Sequence, residues 1–325
     1  MSNNRRQFLQ QLTGVAGLAL MPSAFYSCSG RVQNHASSNA ADLKNSFFEI
    51  SLAQWSLHKT LFSKKIDNLD FPVIAKKQFG INAVEYVNQF FMDKAKDTNY
   101  LNELLKRCKD NGVKNHLIMC DGEGHLGELD ETKRLKAVDN HHKWVEAAKY
   151  LGCTTIRVNA FGIGSPSDVQ KAAIDGLSRL GEYAGKLDIN VIVENHGGYS
   201  SDGQWLTAVM KSVDKKNVGT LPDFNNFCVK RDGVGEWDGK CIEEYDRYKG
   251  TSEMMPFAKA VSAKTIDFDE KGDCIETDYY RMLKIVKDAG FRGYIGVEYE
   301  GEKLGEDEGI LKTKSLIERV GASLG

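Results

Sequence analysis

Short aliphatic runs alternate with amphipathic stretches eight times between residue 48 and the end of the chain. The predicted strands are residues 49–53, 83–87, 116–120, 155–159, 191–194, 218–221, 260–264 and 294–298. The runs are too short for helices, and the stretches between them repeat apolar residues at the 3.6-residue spacing of one helix face. This alternation predicts strand–helix units repeated around a parallel sheet.

The number of units distinguishes two α/β architectures. Eight units in about 280 residues favour a closed (β/α)8 barrel as a single domain over residues 46–325. The alternative, an open doubly wound sheet, usually carries a glycine-rich phosphate loop after its first strand, and no such loop follows residues 49–53. In a barrel, functional groups gather at the carboxyl ends of the strands, so the polar residues that close each run predict the site.

Residues 1–27 have the features of a twin-arginine export signal. The arginine pair at 5–6 precedes an apolar stretch at 12–21, which is shorter than the roughly 20 residues of a membrane-spanning helix. Cys28 is a candidate lipid-accepting cysteine followed by a flexible tether at 28–45, and ordinary cleavage nearby is the alternative. Both alternatives predict a periplasmic protein, either soluble or anchored to a membrane through Cys28.

Export to an oxidising compartment permits disulfides. Cys228 and Cys241 bracket a loop rich in glycine and aspartate, which a crosslink would order, so they are the predicted pair. Cys120 and Cys153 lie in apolar strand contexts and are predicted to be buried free thiols.

Three of the predicted strands deliver a carboxylate at the carboxyl end of the barrel. These acids are Glu194, Asp223 and Glu298. Oxygen ligands suit hard divalent ions, and a bound ion polarises a carbonyl or hydroxyl of a substrate. The pattern therefore predicts a metal-assisted enzyme.

Other polar and aromatic residues at the strand ends are predicted to bind the substrate. They are His196, Arg157, Asn159, Lys264 and Trp55. Arg157 needs a partner if it is buried within a strand, either Glu85 in a structural ion pair or the hydroxyls of a substrate. Trp55 has two interpretations, stacking on a sugar ring or packing within the protein.

Three motifs resemble a known family. They are V-I-V-E-N-H-G-G at 191–198, G-T-L-P-D-F at 219–224 and Y-I-G-V-E-Y-E-G at 294–301. Over about residues 46–322 the chain resembles the xylose isomerase-like TIM barrels, which include sugar isomerases and epimerases, inosose dehydratases and type IV apurinic endonucleases. The resemblance implies that Glu194, Asp223 and Glu298 bind a divalent metal ion (manganese, cobalt, magnesium or zinc) and that the two glutamates flank the substrate carbons.

The chain departs from the family pattern in its seventh strand. Many relatives carry a histidine there, in a His-x-Lys-Asp or His-x-Asn-Asp pattern, whereas this chain has Ser262 and then Lys264. His196 is one candidate for the fourth ligand, because strand alternation returns it to the same side as Glu194. A water or substrate oxygen is another. If the metal has been lost, Lys264 would neutralise the acids.

The resemblance implies a metal-dependent carbohydrate isomerase or epimerase that moves protons with carboxylates. Two carboxylates on opposite sides of a sugar carbon would epimerise it. Because phosphorylated sugars are cytoplasmic metabolites, the predicted export favours an unphosphorylated sugar or sugar derivative. One alternative is a lyase or hydrolase that cleaves 3-keto-glycosides by β-elimination, and another is a sugar-binding protein without catalytic activity.

Nucleic acid is excluded as a partner. The chain has 43 basic and 45 acidic residues, so its net charge of −2 does not provide a surface for phosphates. The apurinic endonucleases of the family require additional histidine ligands, and Asn226 stands where an Asp-x-x-His pattern would place one.

Overall fold

The computed structural model describes residues 46–233 and 237–325. The strands are β1 (Glu49–Ala53), β2 (Ala83–Val87), β3 (Lys114–Met119), β4 (Thr155–Val158), β5 (Asn190–Glu194), β6 (Val218–Leu221), β7 (Cys228–Arg231), β8 (Cys241–Glu244), β9 (Val261–Thr265) and β10 (Tyr294–Tyr299). The helices are α1 (His58–Phe62), α2 (Phe71–Phe79), α3 (Thr98–Asn111), α4 (Glu131–Leu151), α5 (Pro166–Gly185), α6 (Gly203–Val213), α7 (Arg247–Met254), α8 (Tyr279–Asp288) and α9 (Glu306–Leu324).

Eight of the strands form one parallel sheet in the order β6-β5-β4-β3-β2-β1-β10-β9. Parallel bridges between Thr220 and Ala258 and between Asp223 and Ser262 connect the two edge strands. Ser262 N donates to Pro222 O at 2.9 Å across the same junction. The sheet therefore closes on itself, which confirms the predicted barrel of eight parallel strands. The ends of each predicted strand lie within two residues of those of an observed strand.

Two apolar cores pack against the barrel wall, one on its outer face and one on its inner face. The larger lies between the sheet and the helices, where Trp144 on α4 and Leu180 on α5 are fully buried. The smaller fills the inside of the barrel with side chains that alternate inward along the strands. Its buried members are Ala53, Val87, Leu117, Met119, Ile192, Leu221 and Ala260. This packed interior supports a site at the carboxyl ends of the strands.

Local sequence signals set the ends of the helices. Asp97, Asp130 and Asp278 each accept a hydrogen bond from a backbone N–H in the first turn of α3, α4 and α8, respectively. Gly112 and Gly152 end α3 and α4 with φ angles of 63° and 76°, a left-handed conformation that glycine adopts without strain. These caps return the chain to the barrel for the next strand.

The antiparallel hairpin of β7 and β8 lies between β6 and α7. A disulfide joins Cys228 to Cys241, as predicted. Cys120 and Cys153 are free and buried, which confirms their interpretation as structural thiols. The predicted export signal, Cys28 and the tether at 28–45 lie outside the described residues. Among the residues described, no helix combines the length and apolarity needed to cross a bilayer.

Candidate active site

Three carboxylates meet at the carboxyl end of the barrel. Glu194 ends β5, Asp223 follows β6 by two residues, and Glu298 lies in β10. One oxygen atom from each carboxylate lies within 4.8 Å of the other two, and the three residues are at most 3% exposed. The structure thus brings the predicted acids together, while their metal-binding and catalytic roles stay predictions.

Asp223 is held by a turn that follows its strand. Its Oδ1 atom accepts hydrogen bonds from the backbone N–H groups of Asn225 at 2.9 Å and Asn226 at 2.8 Å. Its own backbone N–H donates to Asn195 Oδ1 at 2.7 Å, and the Asn195 amide donates back to the Asp223 carbonyl at 3.0 Å. These contacts hold the carboxylate through Oδ1, so that Oδ2 faces the other acids.

Glu194 is held between an amide and a guanidinium. Asn226 Nδ2 donates to Glu194 Oε1 at 3.0 Å. Arg157 Nε lies 2.8 Å from Glu194 Oε2, an ion pair whose angle falls outside hydrogen-bond geometry. Arg157 Nη1 also donates to Asp121 Oδ1 at 2.7 Å, and Asn159 Nδ2 donates to the same oxygen at 2.8 Å. Arg157 therefore pairs with Asp121 and Glu194, and the ion pair with Glu85 that the sequence also allowed is not formed.

Two side chains of β9 reach the remaining acids. Ser262 Oγ lies 2.7 Å from Asp223 Oδ2 and 2.7 Å from Glu298 Oε2. Lys264 Nζ lies 3.3 Å from Glu300 Oε1, 3.6 Å from Glu298 Oε1 and 3.8 Å from Asp223 Oδ2. Because alternate residues of a strand point to the same side, both side chains enter the barrel mouth.

Burial and charge shift the pKa values of these groups. Burial raises the pKa of Glu194 to about 8, although Arg157 and Lys264 oppose the shift. Burial likewise raises the pKa of Asp223 to about 6, against the effect of Lys264. Burial would also raise the pKa of Asp121, but the charge of Arg157 outweighs it and lowers this pKa to about 2. Burial disfavours the Lys264 ammonium, yet the carboxylates of Asp223 and Glu298 hold its pKa well above the usual range.

The donor set fits a divalent cation. Five carboxyl groups (Asp121, Glu194, Asp223, Glu298 and Glu300) share the site with two fixed cations, Arg157 and Lys264. The carboxylates therefore outnumber the cations. Because burial raises the pKa of Glu194 and Asp223, protons would have to neutralise part of this surplus of negative charge. Three converging carboxylate oxygens are also the ligands that hard divalent ions prefer. A divalent cation would therefore satisfy both the charge and the geometry of the site.

A cavity of about 710 Å³ opens above the acids. The predicted residues among its lining are Trp55, Arg157, Asn159, His196, Lys264 and Glu298. Glu194 and Asp223 lie outside the lining and contact it through Arg157, Asn226 and Lys264. Trp55 is half-buried and stacks on His58 with 5.0 Å between ring centroids, so it both packs within the protein and faces the cavity.

His196 faces the cavity and is not part of the group formed by Glu194, Asp223 and Glu298. Its ring packs edge-on against Trp237, with 4.5 Å between the centroids. Burial, helped by the charge of Arg157, lowers its pKa well below the usual range. In the described part of the chain, the three carboxylates alone form a group close enough to share an ion, so the interpretation of His196 as a fourth ligand finds no support.

Four further residues contribute to the site, and the sequence assigned none of them the role that the structure shows. Asp121 anchors Arg157, Asn226 contacts Glu194, Ser262 contacts two acids, and Trp237 lines the cavity. Asp121 and Asn226 are polar residues just beyond strand ends, which predicts them at this edge of the barrel, but only their contacts give them a role.

The comparisons with known proteins place the chain in a family. A family model described as xylose isomerase-like TIM barrel matches residues 74–319. This chain belongs to the xylose isomerase-like TIM-barrel family. No curated protein sequence matches it.

Several solved structures share the barrel. An IOLI protein with a binding zinc atom is 15% identical, with a TM-score of 0.63, over 85% of this chain and 98% of that chain. A D-tagatose 3-epimerase-like protein is 16% identical, with a TM-score of 0.63, over 84% and 96%. A xylose isomerase-like TIM barrel protein from Mycobacterium smegmatis in complex with magnesium is 15% identical, with a TM-score of 0.59, over 78% and 87%. At these identities the likeness shows the fold alone.

Proposed function

We propose that this protein is a divalent-metal-dependent carbohydrate isomerase or epimerase that acts on an unphosphorylated sugar or sugar derivative. The observation that carries the proposal is the convergence of Glu194, Asp223 and Glu298 below one cavity. Membership of the family supports the reaction class, and an epimerase-like protein shares the fold.

The three acids would hold the metal ion. When bound, such an ion polarises a carbonyl or hydroxyl oxygen of the sugar and lowers the cost of removing a proton from the neighbouring carbon. Asp223 is the most firmly fixed of the three, because two backbone N–H groups bind its Oδ1 atom. Arg157 and Asn226 orient Glu194, while Ser262 orients Glu298.

Glu194 and Glu298 would move the proton. They reach the site from β5 and β10, which are three strands apart around the closed barrel. Carboxylates that approach a sugar carbon from different sides can remove a proton on one face and return one on the other, which inverts the carbon. Return of the proton to the adjacent carbon would instead give an aldose–ketose isomerisation.

The charge of the cavity favours an unphosphorylated substrate. Among the lining residues that the structure describes, Arg157 and Lys264 are the lysine and arginine side chains, and each already contacts at least two carboxylates. A phosphate group carries a charge of about −1.5 to −2 and would meet surplus negative charge here.

Periplasmic location, soluble or anchored through Cys28, is part of the proposal and is based on the sequence of residues 1–27. Mass spectrometry of the protein from its native cells tests it. A chain that still begins at Met1 would contradict it.

A second candidate is β-elimination from a 3-keto-glycoside. The observation that favours it is the size of the cavity, about 710 Å³, with Trp55 and Trp237 in its lining. Aromatic rings provide stacking surfaces, and this cavity offers two of them to a substrate with two rings.

The test is a screen of unphosphorylated monosaccharides, disaccharides and 3-keto-disaccharides with Mn²⁺ in deuterated water, followed by NMR. A new stereoisomer or isomer that carries deuterium supports the proposal, whereas released reducing sugar supports elimination. Glu298→Gln should lower kcat/KM by about 10²- to 10⁴-fold. The exposed Glu270→Gln is the matched control. Sugar binding that is unchanged in Glu298→Gln, without turnover of any substrate, would favour a binding protein.

A further inference from the structure

Ser262 occupies the position from which β9 can reach the metal site. It is paired in register with Gly296 of β10, and a parallel bridge joins it to Asp223 after β6. Its side chain therefore lies between the strands that carry Asp223 and Glu298, two of the three acids. It is 1% exposed, so bulk water does not compete for its hydroxyl.

The contacts of the Ser262 hydroxyl are incomplete without a further positive charge. Its Oγ atom lies 2.7 Å from a carboxylate oxygen of both Asp223 and Glu298. A hydroxyl has one proton to donate and two lone pairs to offer. It can satisfy only one of the two carboxylates, and the other contact sets a lone pair against a carboxylate oxygen. A cation bound by all three oxygens would remove this conflict.

Lys264 does not take that position. Its closest acid is Glu300, at 3.3 Å, while Glu298 and Asp223 lie at 3.6 and 3.8 Å. The last two distances exceed those of a hydrogen bond. The Lys264 ammonium therefore balances the negative charge of the acids from the side of Glu300. It leaves the oxygen atoms of Ser262, Asp223 and Glu298 available to a cation.

The available donors are all oxygen atoms. The side-chain nitrogen atoms that contact Glu194, Asp223 and Glu298 belong to Arg157, Lys264 and Asn226, which donate protons and have no free lone pair for a metal. His196 lies outside the group in the described part of the chain. Imidazole and thiolate suit zinc, whereas carboxylate, hydroxyl and water oxygens suit magnesium and manganese.

We propose that the Ser262 hydroxyl is a fourth protein ligand of the metal and that the resulting all-oxygen site makes Mg²⁺ or Mn²⁺ its working ion by weakening its preference for Zn²⁺. The inference depends on the proposed metal dependence and goes beyond it, because it assigns the ligand and the class of ion.

Isothermal titration calorimetry with the full chain tests the assignment without any substrate. The dissociation constants of Mn²⁺, Mg²⁺ and Zn²⁺ are measured for the parent protein, for Ser262→Cys and for Ser262→Ala. Cysteine has nearly the shape of serine but presents sulfur, a ligand that favours zinc. Ser262→Cys should therefore increase the preference for Zn²⁺ over Mn²⁺ at least tenfold, and Ser262→Ala should weaken the binding of Mn²⁺ several-fold.

The control makes the same chemical change away from the site. Ser212→Cys, on the exposed face of α6, should leave the Zn²⁺/Mn²⁺ preference at the parent value. If the parent protein binds these ions but Ser262→Cys does not alter their ratio, Ser262 is not a ligand and this inference is wrong while the proposed metal dependence stands. If the parent protein binds none of the ions, the metal dependence itself is wrong. Circular dichroism of each variant verifies that it is folded.

Discussion

Arg157 Nε lies 2.8 Å from Glu194 Oε2, and Nη1 of the same guanidinium donates a 2.7 Å hydrogen bond to Asp121 Oδ1. One buried cation thus couples a predicted metal ligand on β5 to a carboxylate that follows β3. The planar guanidinium fixes the direction of both contacts. The orientation of Glu194 therefore depends on Asp121, which does not belong to the carboxylate group.

Replacement of Arg157 should make the protein easier to unfold. Arg157→Met would leave the Asp121 carboxylate without its cation and Glu194 without its partner, and breaking a buried pair in this way costs about 3–5 kcal/mol. Urea unfolding of the metal-free protein measures the loss. The control is Arg179→Met, because Arg179 is 49% exposed and its pair with Asp175 contributes about 0–1 kcal/mol. Equal losses in the two variants would contradict the structural role of Arg157.

The stability of the metal-free protein should fall between pH 7 and 8. Burial raises the pKa of both Glu194 and Glu85 to about 8, from an ordinary value of 4.5. In this window the folded state holds more protons than the unfolded chain, so the free energy of unfolding falls as the pH rises. Burial also lowers the pKa of five histidines, which opposes this trend, but their effect fades as the pH rises above their ordinary value of 6.5; they are His116, His125, His141, His142 and His196.

Differential scanning calorimetry with a chelator measures this dependence as a decrease in Tm. Saturating Mn²⁺ should flatten the curve, because the ion replaces the proton on Glu194. Glu194→Gln should remove part of the slope and leave the contribution of Glu85. A Tm of the metal-free protein that rises from pH 7 to 8 would show that these carboxyl groups are ionised without a metal.

The barrel and its acids were predictable because both follow from local sequence. Short apolar runs separated by helix signals define the strands, and barrel geometry brings their carboxyl ends together. Glu194, Asp223 and Glu298 were therefore expected to meet. The position of a carboxylate at the end of a strand can be predicted from the local sequence, without knowledge of the residues that surround it in space.

The contacts between those ends were not predictable, because they depend on distances through space. Asp121 meets Arg157 across 36 residues of sequence, and nothing local indicates that pairing. Ser262 was noticed only as a missing histidine, since its contacts require the register of β9 against β10 and its bridge to Asp223. Trp237 lies in a loop whose composition does not indicate what its side chain contacts. The hairpin of β7 and β8 brings it to His196.

Loss of the hairpin disulfide should weaken substrate binding more than catalysis. The bond between Cys228 and Cys241 closes a 13-residue separation, and a loop of this size loses about 3 kcal/mol of closure entropy on crosslinking. Without it, the contact between Trp237 and His196 should loosen. We expect Cys228→Ser/Cys241→Ser to raise KM several-fold with little change in kcat. Trp237→Ala should reproduce the effect, and a lowered kcat with unchanged KM would contradict it.

Because Gly296 has no side chain, it leaves room for the buried carboxyl group of Glu85. A Cβ atom on residue 296 would lie 2.9 Å from both carboxylate oxygens of Glu85, closer than such atoms approach in proteins. Glu85 is fully buried, and Ser51 Oγ donates a hydrogen bond to its Oε1 atom, so its carboxyl group cannot move away freely. Gly296→Ala should therefore destabilise the protein by about 1–3 kcal/mol, as overpacking of a core does.

A double-mutant cycle isolates the cause of that loss. In a Glu85→Ala background the carboxyl group is gone, so the added methyl group of Gly296→Ala meets open space and should cost less than it does in the parent protein. Urea unfolding of the four proteins gives the coupling energy between the two positions. If Gly296→Ala costs the same in both backgrounds, the methyl group acts through the backbone of β10, and the space beside Gly296 is not what accommodates Glu85.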